Sequence, residues 1–280
     1  MRGRRVSLEL ALVICLAWIV LLFLVLPMIV VFPISLTPER YLSLPDGTVS
    51  LRHYEALLSD PSWINSILHS IIVASSASAL AILFGTLAAI GCWRVASRWS
   101  ELLRFIMLAP MIVPAIVHAL GFYRVWASWG LLDTFPGLII AHGVKGLPYV
   151  LITVSASLAN FDLRLEQAAR NLGASIAQAI RYVIVPSILP GMLAGGFFAF
   201  ILSWDEIVVT LFITSRHVYT LPRRIWDGIQ DNIDPAVGAV ATILVLLTFA
   251  ALMGHFVLRR RRAARLAAAA DMQSEHLGTL

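Results

Sequence analysis

The stretch that decides the fold lies between two long apolar runs and has the sequence NFDLRLEQAARNLGASIAQAIRYVIVP (residues 160–186). Asp162 suits the N-cap of a helix, and Gly173 suits the left-handed position just past a helix end. Ser175, with a glutamine three residues later, forms a capping box and predicts the start of a second helix. Pro186 limits that helix or begins the turn into the next apolar run. The stretch therefore predicts two short helices joined at a glycine.

The first of these helices has a narrow apolar face, because four apolar residues recur at helical spacing. They are Leu165, Ala168, Ala169 and Leu172, flanked by Glu166, Gln167 and Arg170. Small side chains let a helix settle into a groove on a partner protein. Helices that rest on lipid headgroups favour bulky apolar residues. The two alanines therefore favour a protein partner over a lipid surface.

Six apolar runs of roughly 20 residues or more occupy most of the remaining chain. They lie near 8–33, 64–92, 103–127, 136–159, 187–213 and 236–258. Each is long enough to cross ~30 Å of hydrocarbon as a helix. Of the 280 residues, 59% are hydrophobic and 13% are charged, whereas a soluble domain carries about a quarter charged residues. We therefore expect an all-α polytopic membrane protein with six transmembrane helices.

The net charge of +5 is distributed as in a membrane protein and not as in a nucleic-acid-binding protein. Arginines cluster before the first run, between runs two and three, between runs four and five, and after run six. They are Arg2, Arg4, Arg5, Arg94, Arg98, Arg104, Arg164, Arg170, Arg181, Arg259, Arg260, Arg261, Arg262 and Arg265. Basic residues stay on the cytosolic side of a membrane. Both termini and residues 160–186 are therefore predicted to be cytosolic.

The chain divides by composition into three parts. Residues 1–61 hold an anchor helix at about 8–33 and an outer loop. Residues 62–258 form the transmembrane domain with its cytosolic loop at 160–186, and residues 259–280 form a basic cytosolic tail.

Within the third run, Pro110 and Pro114 disturb the helix. A broken helix that lines a cavity and a simple kink both fit these prolines.

Charged residues inside the apolar runs are the candidates for a substrate path. Asp205 and Glu206 fall within the fifth run, where a charge costs about 2.5–3.5 kcal/mol at the bilayer centre. On one continuous helix they diverge by about 100°, so we expect one to face a cationic substrate and the other to bond to a neighbouring helix. Structural pairing of both is the alternative. Lys145 pairs with an acidic residue or contacts a substrate carboxylate, and Trp204 packs or contributes cation–π attraction. No His/Cys spacing matches a metal site.

The cytosolic stretch resembles the EAA loop of the permeases of binding-protein-dependent ABC importers. The residues that carry the resemblance are Gln167-Ala168-Ala169, Leu172-Gly173-Ala174-Ser175 and Pro186. The flanking segments resemble the spermidine/putrescine permease branch, and within it the second of the two permease subunits. These segments are Ser157-Leu158-Ala159-Asn160-Phe161-Asp162, Ser203-Trp204-Asp205-Glu206, Ser50-Leu51-Arg52-His53-Tyr54 and Thr220-Leu221-Pro222. The resemblance extends from about residue 30 to 258.

This resemblance implies a type I ABC importer permease in a bacterial inner membrane. A second permease subunit would complete the pathway, two cytosolic ATPases would bind ATP and Mg, and an external binding protein would deliver the solute. The docking loop for the ATPase would comprise Glu166, Gln167, Ala168, Ala169, Arg170, Leu172, Gly173, Ala174 and Ser175. No phosphate-loop motif is present, so we expect a transport subunit that is not an enzyme and binds no cofactor itself.

One departure from the family and two alternatives remain. The usual glutamate of the loop falls at Gln167, so its charged contact is lost, moved to Glu166, or replaced by an amide hydrogen bond. The solute of the same importer class could be an opine, an amino-acid derivative or ferric iron instead of a polyamine. An ATP-independent secondary transporter or a channel would share the six spans but would not need the narrow apolar face of the first cytosolic helix for docking.

Overall fold

The protein is all-helical in a computed structural model that describes residues 8–41, 43–231 and 234–278, with backbone alone for 8, 231 and 262–278. Arg2, Arg4 and Arg5, and residues 279–280 of the predicted tail, lie outside the described residues. The helices are α1 (Leu8–Ile34), α2 (Arg52–Ser59), α3 (Pro61–Val95), α4 (Arg98–Ile112), α5 (Ala115–Trp129), α6 (Phe135–Ala159), α7 (Leu163–Asn171), α8 (Ile176–Ala179), α9 (Val185–Trp204), α10 (Val208–Ile213), α11 (Leu221–Asp231) and α12 (Ala236–Gly278). A π-helical turn at Ile180–Ile184 joins α8 to α9.

Five helical segments among the described residues are long and apolar enough to cross a membrane, and there are six if a bent pair of helices is counted as one span. The five segments are Glu9–Ile34, Pro61–Val95, Phe135–Ala159, Ile176–Trp204 and Ala236–Arg261. The predicted all-α polytopic fold is therefore confirmed.

The third span is broken and not merely kinked. Its halves, α4 and α5, meet at 108°. Val113 between them is extended, with φ −73° and ψ 131°, as expected for a residue that precedes a proline. Pro114 then forms the N-cap of α5. The prolines were consistent with a broken helix or with a simple kink, and the structure has the broken helix.

The prediction of one continuous fifth span at 187–213 is wrong at both ends. The helix begins at Ile176, on the N-terminal side of Pro186 and earlier than predicted, and it ends at Trp204, earlier than predicted. The chain leaves the helix at Asp205 and resumes it at Val208. Hydrophobicity alone cannot show this break, because the residues on both sides of it are apolar.

The described residues pack as two units. In the unit of residues 1–60 and 228–280, α1 and α2 pack on α12. Large apolar side chains of α1 are exposed, for example Phe23 with 75% of its surface accessible. Apolar side chains of this kind face lipid in a membrane-spanning helix. The predicted domain boundaries at residues 61 and 258 stay predictions.

In the unit of residues 61–227, α3, α6 and α9 pack closely around a core of alanines and larger aliphatic residues. Gly146 of α6 lies so close to α9 that a Cβ atom there would be 2.9 Å from the Cβ atom of Ala199. At Gly195 of α9, a Cβ atom would be 2.6 Å from the Cα atom of Val150. Small residues let membrane helices approach at this distance, where apolar burial provides no driving force.

The loop between α5 and α6 is held by one carboxylate. Asp133 adopts a positive φ of 55° and accepts hydrogen bonds from the backbone N–H groups of Ser215, Arg216, His217 and Val218. The Ser215 hydroxyl donates a further bond of 2.7 Å. Burial raises the pKa of Asp133, but these hydrogen bonds outweigh it and hold the pKa well below its usual value. The carboxylate therefore joins this loop to the segment after α10.

Candidate functional site

The cytosolic elbow (residues 162–186) begins and turns as its sequence predicts. Asp162 caps α7 through its carboxylate, which accepts a bond of 2.9 Å from the N–H of Arg164. Gly173 has φ +92° and follows the last turn of α7. Ser175 and Gln178 exchange hydrogen bonds of 3.3 and 2.8 Å in a capping box. The three local predictions are confirmed.

Pro186 neither ends the second short helix nor begins a turn, so both predicted roles are wrong. Here α8 continues through the π-helical turn into α9 without interruption. The N–H of Val185 bonds to the carbonyl of Ile180, five residues earlier. A π turn changes the carbonyl positions in the turn before Pro186, where a regular helix would clash with the ring. The elbow is therefore one short helix followed directly by a membrane span.

The apolar ridge of α7 (Leu165, Ala168, Ala169 and Leu172) is left largely uncovered by the residues that the structure describes. The side chains of Leu165 and Leu172 are 51% and 90% exposed, and Gln167 and Ala168 are exposed as well. Of the remaining residues predicted to dock, Arg170, Gly173 and Ser175 are exposed, while Ala169 and Ala174 are half-buried. A groove of about 420 Å³ runs beside the glycine turn. It is lined by Ala169, Leu172, Gly173, Ala174, Gln178, Tyr182 and Val183.

Glu166 points away from the exposed ridge and into the chain. Its carboxylate accepts a hydrogen bond of 2.6 Å from the guanidinium of Arg94, in the last turn of α3. Only 10% of the Glu166 side chain is exposed, against 25% for Arg94. The acidic neighbour of Gln167 is therefore engaged within this chain, which leaves Gln167 as the exposed polar residue at that position. Sequence analysis placed Arg94 in the cytosol but did not identify this contact.

The second candidate site is the break between α9 and α10. Asp205 follows the end of α9, and its N–H still bonds to the carbonyl of Ile201. One carboxylate oxygen of Glu206 accepts a bond of 3.0 Å from the N–H of Val209, in the first turn of α10. A side chain that bonds its own backbone competes with a continuous helix. The assumption that these two acids lie on one helix, 100° apart, is therefore wrong.

Lys145 of α6 forms an ion pair with Glu206, which confirms that it pairs with an acidic residue. The two side chains are 10% and 9% exposed. Asp205 is exposed, and no ion pair or side-chain hydrogen bond to it occurs among the residues that the structure describes. Trp204 is half-buried and stacks on Phe200, with ring centroids 6.0 Å apart.

A buried polar network supports this break. His142, one turn before Lys145 on α6, hydrogen-bonds to the hydroxyl of Ser203 at 2.8 Å and to that of Thr210 at 3.3 Å. The Thr210 hydroxyl also lies 2.9 Å from the carbonyl of Glu206, to which it donates. Sequence analysis did not name the two hydroxyl partners of His142. Ser203 and Thr210 lie on either side of the break between α9 and α10, so their spacing in the sequence does not indicate that they share a partner.

Comparison with known proteins agrees with a membrane-spanning transport subunit. Residues 81–263 match the family described as "Binding-protein-dependent transport system inner membrane component". The chain is 32% identical over 233 residues to the spermidine/putrescine transport system permease protein PotC of Haemophilus influenzae, which covers 83% of this chain and 90% of that protein. It is 26% identical over 230 residues to the putrescine transport system permease protein PotI of Escherichia coli, with 80% and 82% covered.

A solved structure shares the fold. The bacterial ABC transporter that imports the acidic polysaccharide alginate superposes with a TM-score of 0.72 at 18% identity, over 93% of this chain and 98% of that chain. The family match and these relatives define a multi-pass permease subunit of an ABC importer in a bacterial inner membrane. The chain belongs to the family of binding-protein-dependent transport system inner membrane components.

Proposed function

We propose that this permease forms half of a translocation pathway for a small cationic solute, a polyamine of the putrescine or spermidine kind. A second permease subunit supplies the other half, and an external binding protein delivers the solute. Two cytosolic ATPases bind ATP and Mg and drive the cycle, because this chain has no phosphate-loop motif of its own. The relatives named as spermidine/putrescine and putrescine permeases support this class of solute.

The observation that carries the proposal is the exposed carboxylate of Asp205 at a break in a membrane helix. Irregular backbone at membrane depth occurs where it is covered by protein or lines a wet cavity. An ionisable residue there marks a solute or ion pathway more often than a lipid contact. Since Glu206 is already paired with Lys145, Asp205 is the acid available to a cation.

The ridge of α7 is the docking surface that we propose for an ATPase. Its leucines are exposed in this chain although they are apolar, and the groove beside Gly173 offers a recess for a partner's side chain. A short apolar ridge fits helix-in-groove recognition, in which a helix places its apolar face in a groove on the partner.

Reconstitution of the full complex tests the solute. The permease pair, the ATPase and the binding protein are placed in liposomes, and ATP hydrolysis is measured with putrescine, spermidine, an opine and a ferric complex. We expect putrescine or spermidine to stimulate hydrolysis and to accumulate inside right-side-out vesicles. Stimulation by another solute alone would overturn the polyamine assignment while leaving the importer class intact.

Asp205→Asn tests the cation contact. We expect uptake at limiting solute to fall about tenfold, since tenfold corresponds to 1.4 kcal/mol of lost attraction. Asp162→Asn is the matched control, because asparagine caps a helix as well as aspartate does. Equal uptake by Asp205→Asn and the unmodified complex would contradict a role for this carboxylate.

Ala168→Trp tests the docking ridge, with Leu163→Trp as its control. Leu163 is 53% exposed in the same helix but points about 140° away from Ala168. We expect the ATPase to be lost from purified complexes of Ala168→Trp and retained with Leu163→Trp. Retention in both variants, with transport unchanged, would remove α7 as the docking surface.

A further inference from the structure

We propose that Lys145 determines the charge of the accepted solute, because it neutralises Glu206 and leaves Asp205 as the single free carboxylate that this chain presents at the helix break. The favoured solute then places one ammonium group at this site, as a diamine does. This inference rests on the proposed function and specifies its substrate class.

The ion pair is arranged so that Glu206 is not available to a solute. One carboxylate oxygen accepts from the Lys145 ammonium and the other accepts from the N–H of Val209. The two charged side chains are 10% and 9% exposed. A buried pair with both oxygens engaged stays closed, since separating it would leave two charges without compensation.

The surrounding network holds the pair in place. His142 fixes α6 to the end of α9 through Ser203 and to α10 through Thr210. Each of these three side chains is less than 10% exposed. The network lies on the side of the break that packs against α6, whereas the Asp205 side chain is exposed. The two adjacent acids are therefore separated into one structural group and one accessible group.

The consequence is a local charge count. Two carboxylates and one ammonium give the break a net charge of −1. Without the ammonium, two neighbouring carboxylates would remain, and their joint field would favour a solute of higher positive charge. Spermidine carries three ammonium groups and putrescine carries two, so the added negative charge would favour spermidine over putrescine. Fields of this kind change the local concentration of a charged solute by tenfold or more.

Thiol labelling measures this field without reference to any solute. Asp205→Cys is introduced with Cys15→Ala and Cys92→Ala, which remove the two native cysteines. In the assembled complex, the rate of reaction with a cationic methanethiosulfonate is divided by the rate with a neutral one. We expect Lys145→Met to raise this ratio about tenfold and Glu206→Gln to lower it about tenfold. The double variant Lys145→Met/Glu206→Gln should return the ratio to within about twofold of its value in the complex with Lys145 and Glu206 intact.

Solute competition with Asp205 intact gives the second readout. Lys145→Met should raise the uptake of spermidine relative to putrescine about tenfold, and adding Glu206→Gln should reverse the change. A purely structural role would lower both uptake rates together and leave both ratios unchanged, which would overturn the inference. A cysteine at position 205 that reacts with neither reagent would overturn it as well. If the unmodified complex imports neither polyamine, the proposed solute fails, while the labelling ratio still decides the role of Lys145.

Discussion

The guanidinium of Arg94 and the carboxylate of Glu166 lie 2.6 Å apart and join the C-terminal end of α3 to α7. The two residues are 72 positions apart in the chain. Arg94 also lies over the ring of Trp93, 5.8 Å from its centroid. Trp93 in turn packs edge-on against Phe161, directly before α7. The helix that we propose as the ATPase contact is thus bonded directly to the core of the membrane unit.

Breaking this ion pair should weaken the coupling of ATP hydrolysis to transport. A hydrogen bond between charged groups contributes about 1.5–3 kcal/mol, and the partial exposure of Arg94 places this one at the lower end. We expect Glu166→Gln to reduce the solute moved per ATP hydrolysed about threefold to tenfold, at little cost to ATP hydrolysis itself. Uptake and phosphate release measured in the same liposomes give this ratio.

Two further variants decide whether the ion pair itself is responsible. Glu101→Gln is the matched control, because the exposed pair of Glu101 and Arg104 is only loosely formed at 3.9 Å and such pairs contribute little. The exchange variant Arg94→Glu/Glu166→Arg should recover part of the coupling. If the exchange is as defective as Arg94→Glu alone, the link between these two helices does not depend on the ion pair.

The elbow could be predicted from its sequence because its determinants are local. A cap needs a side chain within three residues of the N–H groups that it satisfies, and the end of a helix at Gly173 needs only one residue without a Cβ atom. The apolar runs are local in the same sense, since about 20 residues decide a span. The six spans and both helix starts of the elbow therefore follow from neighbouring residues.

The partners in the polar contacts could not be predicted, because they are far apart in the chain. Glu206 and Lys145 are 61 positions apart, and hydrophobicity treats both as interruptions of a span. The break between α9 and α10 follows from where Glu206 places its second oxygen, which depends on the packing of α6 beside it. Asp133 likewise finds its partners 82 or more positions away.

Gly173→Ala should destabilise the elbow through backbone strain alone. Gly173 has φ +92° and nothing within 4 Å of the position of a Cβ atom, so no steric clash with a neighbour is involved. We expect a loss of about 1–2 kcal/mol, and Gly173→Asn should lose less because asparagine tolerates this conformation. Gly91→Ala, also without a close neighbour but in a regular helix, should be neutral or stabilising. Thermal melting of the purified complex compares the three variants. Equal melting temperatures for all three would contradict backbone strain at position 173.

Gly146→Ala should destabilise the membrane unit by overpacking. The added methyl group would be 2.9 Å from the Cβ atom of Ala199 and 3.2 Å from that of Ala81. Forcing extra volume into a packed core costs about 1–3 kcal/mol. Gly121→Ala is the control, since nothing lies within 4 Å of its added methyl group. We expect a lower melting temperature for Gly146→Ala alone; a drop of the same size in the control would indicate that helix contacts are not the cause.

Asp133→Asn should loosen the loop between α5 and α6, in a way that depends on pH. The hydrogen bonds to its carboxylate hold the pKa of Asp133 below that of the unfolded chain. The stabilisation is therefore fully present above the unfolded value of about 3.9, and it is lost as the pH falls through the lower, folded value. We expect the variant to be less stable by about 1–2 kcal/mol from pH 8 to pH 5.

Asp46→Asn, in an exposed loop position, should have no such effect. Melting temperatures of the detergent-solubilised complex, recorded from pH 8 to pH 3.5, should show the difference narrowing only below about pH 4. A difference that is already lost between pH 8 and pH 6 would mean that a group other than this carboxylate controls the loop.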